Sequence, residues 1–121
     1  MAAYKNLEAW KHSMQLVKEI YVLTKTFSRE EIYALSSQLK RAAVFVPSNI
    51  AQGCGRNYKK DTIQFLHIAR GSLYETETQV EIALMNNFIK ETDVDKLNII
   101  ITTCMKTLNG LINYYEKSAL K

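Results

Sequence analysis

The sequence predicts an all-α protein, an up-down-up-down four-helix bundle whose second helix is kinked at Pro47. Three observations carry that prediction. A chain of 121 residues suits one domain, 1–121, able to bury about two thirds of the surface its unfolded form exposes. Four glycines and one proline are too few for a β-sandwich or barrel, which needs a turn signal roughly every ten residues. Apolar residues instead recur at steps of three and four over long stretches, the spacing of a helix face.

The first helix spans Leu7 to Phe27. One apolar set is Trp10, Met14, Val17 and Tyr21, and a second is Leu16, Ile20, Leu23 and Phe27, so this helix is apolar over more than one stripe. Ser28 and Glu31 match a capping box and announce a new helical start. The second helix carries Leu35, Leu39, Ala42, Ala43, Val46 and Ile50. Pro47 removes one backbone hydrogen bond there, at a cost of about 3 kcal/mol in a regular helix. The stripe keeps its phase from Val46 to Ile50, which predicts one kinked helix reaching Ala51 or Gln52, ended by Gly53 and Gly55.

The third helix is expected from an Asn57 cap to about Asn86, with the face Phe65, Leu66, Ala69, Leu73, Thr76, Val80, Ala83 and Leu84. Asn86, Asn87 and Phe88 suit a stop, because asparagine tolerates the left-handed conformation. The fourth opens with Thr92 or Asp93 as cap and sets Leu97, Ile101, Cys104, Leu108, Leu111 and Tyr115 on a heptad seam. Helices of about 20 to 28 residues are about 30 to 42 Å long. Short connections between them favour antiparallel neighbours.

Charge and apolar content narrow the function classes. The net charge is +4, and its distribution is uneven. Residues 54–70 hold 4 basic and 1 acidic side chain, whereas 71–95 hold 1 and 6, a polarity able to orient partners or subunits. No run approaches the roughly 18 to 20 apolar residues of a membrane span, and MAAYKNLEAWKH lacks a signal-peptide core, so a cytoplasmic protein without membrane association is expected. Cys54 and Cys104 stand apart, with no CxxC motif, and indicate neither a disulfide framework nor a zinc site.

Few residues suit catalytic or cofactor chemistry. GCGRNYK lacks the third glycine of a dinucleotide fingerprint and follows no strand, and GxxxxGK is absent. What remains is a glycine-terminated helix followed by a basic helix start, where free N–H groups and the dipole favour anions and Arg56, Lys59 and Lys60 add charge. That end reads either as a phosphate site or as a solvated basic loop. His12 and His67 are isolated and no ExxH pair exists, so no metal or cofactor is expected. Glu75, Glu77 and Glu81 read as a solvated face or a partner for basic residues rather than as acid/base catalysts, and Ser48 and Ser72 have no general base. No enzyme is indicated. Seven tyrosines could stack on bases but serve equally at core edges. Ile63, Ile68, Ile99, Ile100 and Ile112 lie off the main stripes, as if several bury against other subunits.

LEAWKHSMQLVKEIYVLTKTF, YALSSQLKRAAVFVPSNIAQG and FLHIARGSLYETETQVEIA together resemble the 23S rRNA intervening-sequence proteins, also called S23 ribosomal proteins. That family includes the accessory variability determinant protein of diversity-generating retroelements. The similarity covers nearly the whole chain in matching order. It implies a four-helix bundle assembled as a ring-shaped homopentamer and, in the retroelement relative, a basic surface for RNA or DNA and a partner reverse transcriptase. Gln38, Lys40, Arg41, Pro47, Ser48, Asn49, Gly53, Arg56, Gly71, Ser72 and Glu75 fall on the family's motif, while Gln52 stands where glutamate is usual.

The expectation is thus a non-enzymatic, oligomeric nucleic-acid-binding protein whose basic surface is built from Lys40, Arg41, Arg56, Lys59, Lys60 and Arg70. The alternative is a protein-interaction scaffold that recruits a reverse transcriptase or other enzyme. Gly71 adds a structural expectation. A mid-helix glycine costs about 1 kcal/mol relative to alanine, which points to a tight helix crossing within the bundle or between subunits.

Overall fold

A computed structural model describes residues 3–28, 30 and 34–119. A 3₁₀ turn at Ala3–Asn6 leads into four helices: α1 (Glu8–Thr24), α2 (Leu35–Cys54), α3 (Lys59–Met85) and α4 (Glu91–Ala119). Each helix packs against two others in a closed cycle, α1 on α2, α2 on α3, α3 on α4 and α4 on α1, and among the described residues neither diagonal pair meets. This is an all-α four-helix bundle. Contacts between α3 and α4 run in opposite order along the two helices, from Lys59 with Ser118 through His67 with Glu116 to Arg70 with Asn109.

One apolar stripe per helix fills the centre. In α1 the set containing Leu16 and Ile20 is buried, and Phe27 continues it beyond the helix end, its ring centroid 5.8 Å from that of Phe88. The set containing Trp10 and Met14 lies at the α1/α2 edge instead. Leu39, Ala43, Val46 and Ile50 come from α2, and Leu66, Ala69, Leu73 and Val80 from α3. Several buried polar groups are bonded locally: Thr76 Oγ1 donates to Ser72 O at 2.9 Å and Asn49 Nδ2 to Phe45 O at 2.8 Å, whereas Gln79 Oε1 is buried without a partner.

Several helix ends differ from the sequence reading. The fourth helix starts at Glu91 because Asp93 is no cap; its carboxylate reaches back to accept the Lys90 N–H at 3.0 Å. The third starts at Lys59, after an extended Tyr58 rather than at Asn57. Its stop agrees with the reading: Asn87 has φ 63°, the left-handed conformation. The Ser28–Glu31 capping box involves Glu31, outside the described residues. Ile112, one of the five isoleucines read as lying off the main stripes, is fully buried in the core. A straight helix drifts by about 20° per heptad, which carries the seam from Leu108 to Ile112 and leaves Leu111 and Tyr115 at its border. Ile63 and Ile100 are half-buried, whereas Ile68 and Ile99 are exposed.

Of the two glycines expected to end α2, Gly55 does so, as the capping residue after Cys54 with its N–H bonded to Ala51 O at 3.2 Å, whereas Gly53 does something else. α2 runs on to Cys54 and passes through Gly53, and no glycine has a positive φ. Gly53 is a packing residue: a Cβ there would sit 2.9 Å from Phe65 Cβ and 3.2 Å from the Thr62 carbonyl. Thr62 Oγ1 donates back to Gly53 O at 2.7 Å. Gly71, by contrast, is exposed, and a Cβ there meets nothing within 4 Å. Its expected tight crossing is not within the bundle.

Candidate nucleic-acid interface

The α2–α3 turn is short because Gly53 lets the first turn of α3 fold directly against the last turn of α2. The locked pair Gly53–Thr62 sets where the next side chains emerge. Arg56 lies in the turn, its guanidinium 4.6 Å from the Phe65 ring centroid. Such a cation on an aromatic face keeps its outer N–H groups available while its orientation is fixed. Lys59 opens α3 and donates to the carbonyl (3.4 Å) and hydroxyl of Ser118 at the far end of α4. Lys60 is exposed, as is Tyr58, at 71%. Neutral partners leave the Lys59 charge uncompensated. The first N–H groups of the 27-residue α3 lie in the same place, and their dipole adds positive potential.

The fold adds two residues that sequence reading did not select. The last turns of α4 bring Lys117 and the exposed Tyr114 to this end of the bundle, beside Ser118. Their signal was positional: an antiparallel α4 must finish where α3 begins. Among the described residues, Asp61, Glu116 and, across the cleft beside Tyr114, Glu8 are acidic groups of this region.

The other three candidate cations lie elsewhere. Arg70 is committed to a bridge between α3 and α4, with Nη1 donating to Asn109 Oδ1 at 2.9 Å and Nη2 to His67 Nδ1 at 2.8 Å. Accepting at Nδ1 puts the neutral imidazole's proton on Nε2, which lies 3.9 Å from Glu116. Lys40 sits over the Tyr21 ring at 5.3 Å, between α1 and α2. Arg41 lies over Phe45 at 5.6 Å. Fifteen residues of chain, mostly helix, separate Arg41 from Arg56, which at 1.5 Å per residue is about 20 Å. The six candidate cations therefore form one cluster of three and three separate positions.

The family-motif residues serve mainly the interior. Pro47 and Asn49 are buried in α2, Ser48 is half-buried beside the α1/α2 groove, and Ser72 is buried in α3. Glu75 accepts from Gln79 Nε2 at 3.2 Å, one turn along the same helix.

Nucleophilic and metal chemistry find little support in this arrangement. Burial pushes the Cys104 thiol up to about 12. Burial also raises Cys54, against a smaller lowering by its hydrogen bond with Tyr115. Both remain protonated at neutral pH, the unreactive form. Among the described residues no three His, Cys, Asp or Glu side chains converge to hold a metal ion. No helix of the described residues is long and apolar enough to cross a membrane.

No curated protein matches the chain. Its fold is similar to the crystal structure of a protein of unknown function from the S23 ribosomal protein family of Bacteroides thetaiotaomicron. The match has a TM-score of 0.80 and 24% identity, over 87% of this chain and 95% of that one. The model of the 23S rRNA-intervening sequence protein family matches residues 5–110, and the chain belongs to that family.

Proposed function

We propose that this protein is a non-enzymatic, oligomeric nucleic-acid-binding accessory protein of the cytoplasm. Phosphate backbone is held at the bundle end formed by the α2–α3 turn. The observation that carries this reading is the convergence of Arg56, Lys59 and Lys60 on the start of α3, beside the exposed ring of Tyr58. Cations at a helix N-terminus neutralise phosphate, and an exposed tyrosine offers a face on which an unpaired base can stack. One such end has too few charges for tight binding. Several copies in one assembly, five by the family resemblance, multiply the local charge.

Mobility shifts on structured RNA and on duplex DNA test this reading. A complex that forms at low salt and dissolves as salt rises is expected, since phosphate contacts release counterions. No complex with either at low salt contradicts it.

A second reading is a scaffold that recruits a reverse transcriptase or other enzyme. It is favoured by apolar side chains left in solvent, among them Met85 at 75% and Ile99 at 70% exposure. Capture of the same protein partner with and without nuclease would support it; capture of nucleic acid alone would count against it.

A further inference from the structure

His67 and Arg70 share one edge of α3 with the cations at its start. Lys59 and Arg70 are eleven residues apart, about three turns, and Lys60 and His67 are seven apart, about two turns, so all four lie on one side of the helix. That side faces α4: Lys59 meets Ser118, His67 Nε2 lies 3.9 Å from Glu116 and Arg70 donates to Asn109. At 1.5 Å per residue the track from Lys59 to Arg70 runs about 16 Å. Gln64, exposed and neutral, stands between the two pairs.

The second pair differs from the first in that its members satisfy each other. Arg70 Nη2 donates to His67 Nδ1 at 2.8 Å in an exposed hydrogen bond, while Nη1 donates to Asn109 Oδ1 at 2.9 Å. A guanidinium only donates, so the first of these bonds exists only while Nδ1 carries no proton. A proton bound there turns Nδ1 into a donor and sets two cations at hydrogen-bond distance, which breaks the bond. Glu116 gives the imidazolium another partner, 3.9 Å from Nε2, and the Nη2 edge of Arg70 is left to solvent. Among the described residues, Arg70 from α3 and Glu116 from α4 are the charged groups against His67. α2 lies on the opposite flank of α3, where Gly53 meets Thr62 and Phe65, and α1 does not touch α3. Farther along the same edge, Glu77 shares a cleft with Lys106 and Asn109.

We propose that His67 and Arg70 form a second phosphate position on α3, closed while His67 is neutral and opened by one proton. The proton adds one positive charge to the track that begins at Lys59 and Lys60. His67 spends that charge on Glu116, and the guanidinium it releases offers charge-assisted N–H groups to nucleic-acid backbone. Histidine is the side chain whose charge ordinarily changes between about pH 5 and 8, so binding tightens as pH falls through that range. This position rests on the phosphate-binding reading of the α3 start and extends that site along the edge facing α4.

The salt dependence of affinity for an RNA hairpin and a DNA duplex, measured on the full chain at about pH 8 and about pH 5.5, tests it. Wild type should bind more tightly at the lower pH, with a salt slope steeper by roughly 0.7 to 0.9, the contribution of one more neutralised phosphate. His67→Gln keeps an acceptor for Arg70 but cannot titrate, and should abolish the change in slope. Arg70→Gln should abolish it too, although His67 still takes its proton, which separates release of Arg70 from the mere charge of a histidine. His12→Gln, which removes the histidine beside Glu8 on α1, should leave the change intact. His67 is 42% exposed, and unchanged helical circular dichroism at both pH values verifies folding of each variant. No complex with either nucleic acid at either pH overturns the phosphate reading and this position with it. Binding with one slope at both pH values, or a pH-dependent slope that survives His67→Gln or Arg70→Gln, overturns the second position alone.

Discussion

The first turns of α3 and its middle treat glycine in opposite ways. Against its first turns, Gly53 of α2 has no room for a methyl group, with Phe65 Cβ and the Thr62 carbonyl closing the space. Farther along, Gly71 faces open space. The first is a folding device and the second has no role inside a single chain. The charges divide the same way: cations cluster where α3 is locked to α2, and glutamates flank its free outer face. A residue type inside a motif therefore does not state its job; the space around it does.

The largest expected effect is at Gly53. Gly53→Leu forces Phe65 or the α3 backbone to move, and overpacking of this kind costs about 1–3 kcal/mol or more. It should lower the denaturation midpoint substantially and loosen the turn that presents Arg56 and Lys59. Next comes Thr62→Val, which keeps the shape and deletes the bond to Gly53 O. Loss of up to about 1 kcal/mol is expected in urea unfolding, since the Gly53 carbonyl loses the Thr62 hydroxyl and keeps only the Arg56 N–H at 3.1 Å. Smallest is Gly71→Ala, where the methyl meets nothing and helix propensity rises. The monomer should gain up to about 1 kcal/mol, and a clear loss would show that Gly71 is packed after all.

Thiol reactivity sharpens the contrast between core and edge. Cys104, pushed up to about 12 by burial, should react with a thiol reagent at neutral pH only after unfolding. Fast labelling of Cys104 in the native protein would mean that the α4 seam opens.

The helices were legible in the sequence because apolar periodicity is a local property that burial enforces along each stripe. Their ends were less so. Asp93 looks like a cap but acts from inside the first turn, and nothing near Asn57 shows that Tyr58 takes the extended position instead. Gly53 looked like a terminator because the sequence cannot show Phe65 standing 2.9 Å from where its Cβ would be. Ile112 was misplaced by extending a strict heptad along a straight helix. At the candidate site, Arg56, Lys59 and Lys60 were legible because they are neighbours in the chain. Tyr114 and Lys117 join them only through tertiary structure, and Arg70 leaves them for Asn109 and His67.

The central claim is that nucleic acid is held at the α2–α3 end rather than by general basicity. The most direct measurement is the salt dependence of RNA affinity for two charge-matched variants, Arg56→Gln/Lys59→Gln/Lys60→Gln and Arg41→Gln/Lys90→Gln/Lys106→Gln. The first should bind far more weakly, with a salt slope shallower by roughly 0.7 to 0.9 for each phosphate no longer neutralised, and the second should keep the wild-type slope. Equal weakening in the two variants, or a greater weakening in the second, would contradict the account.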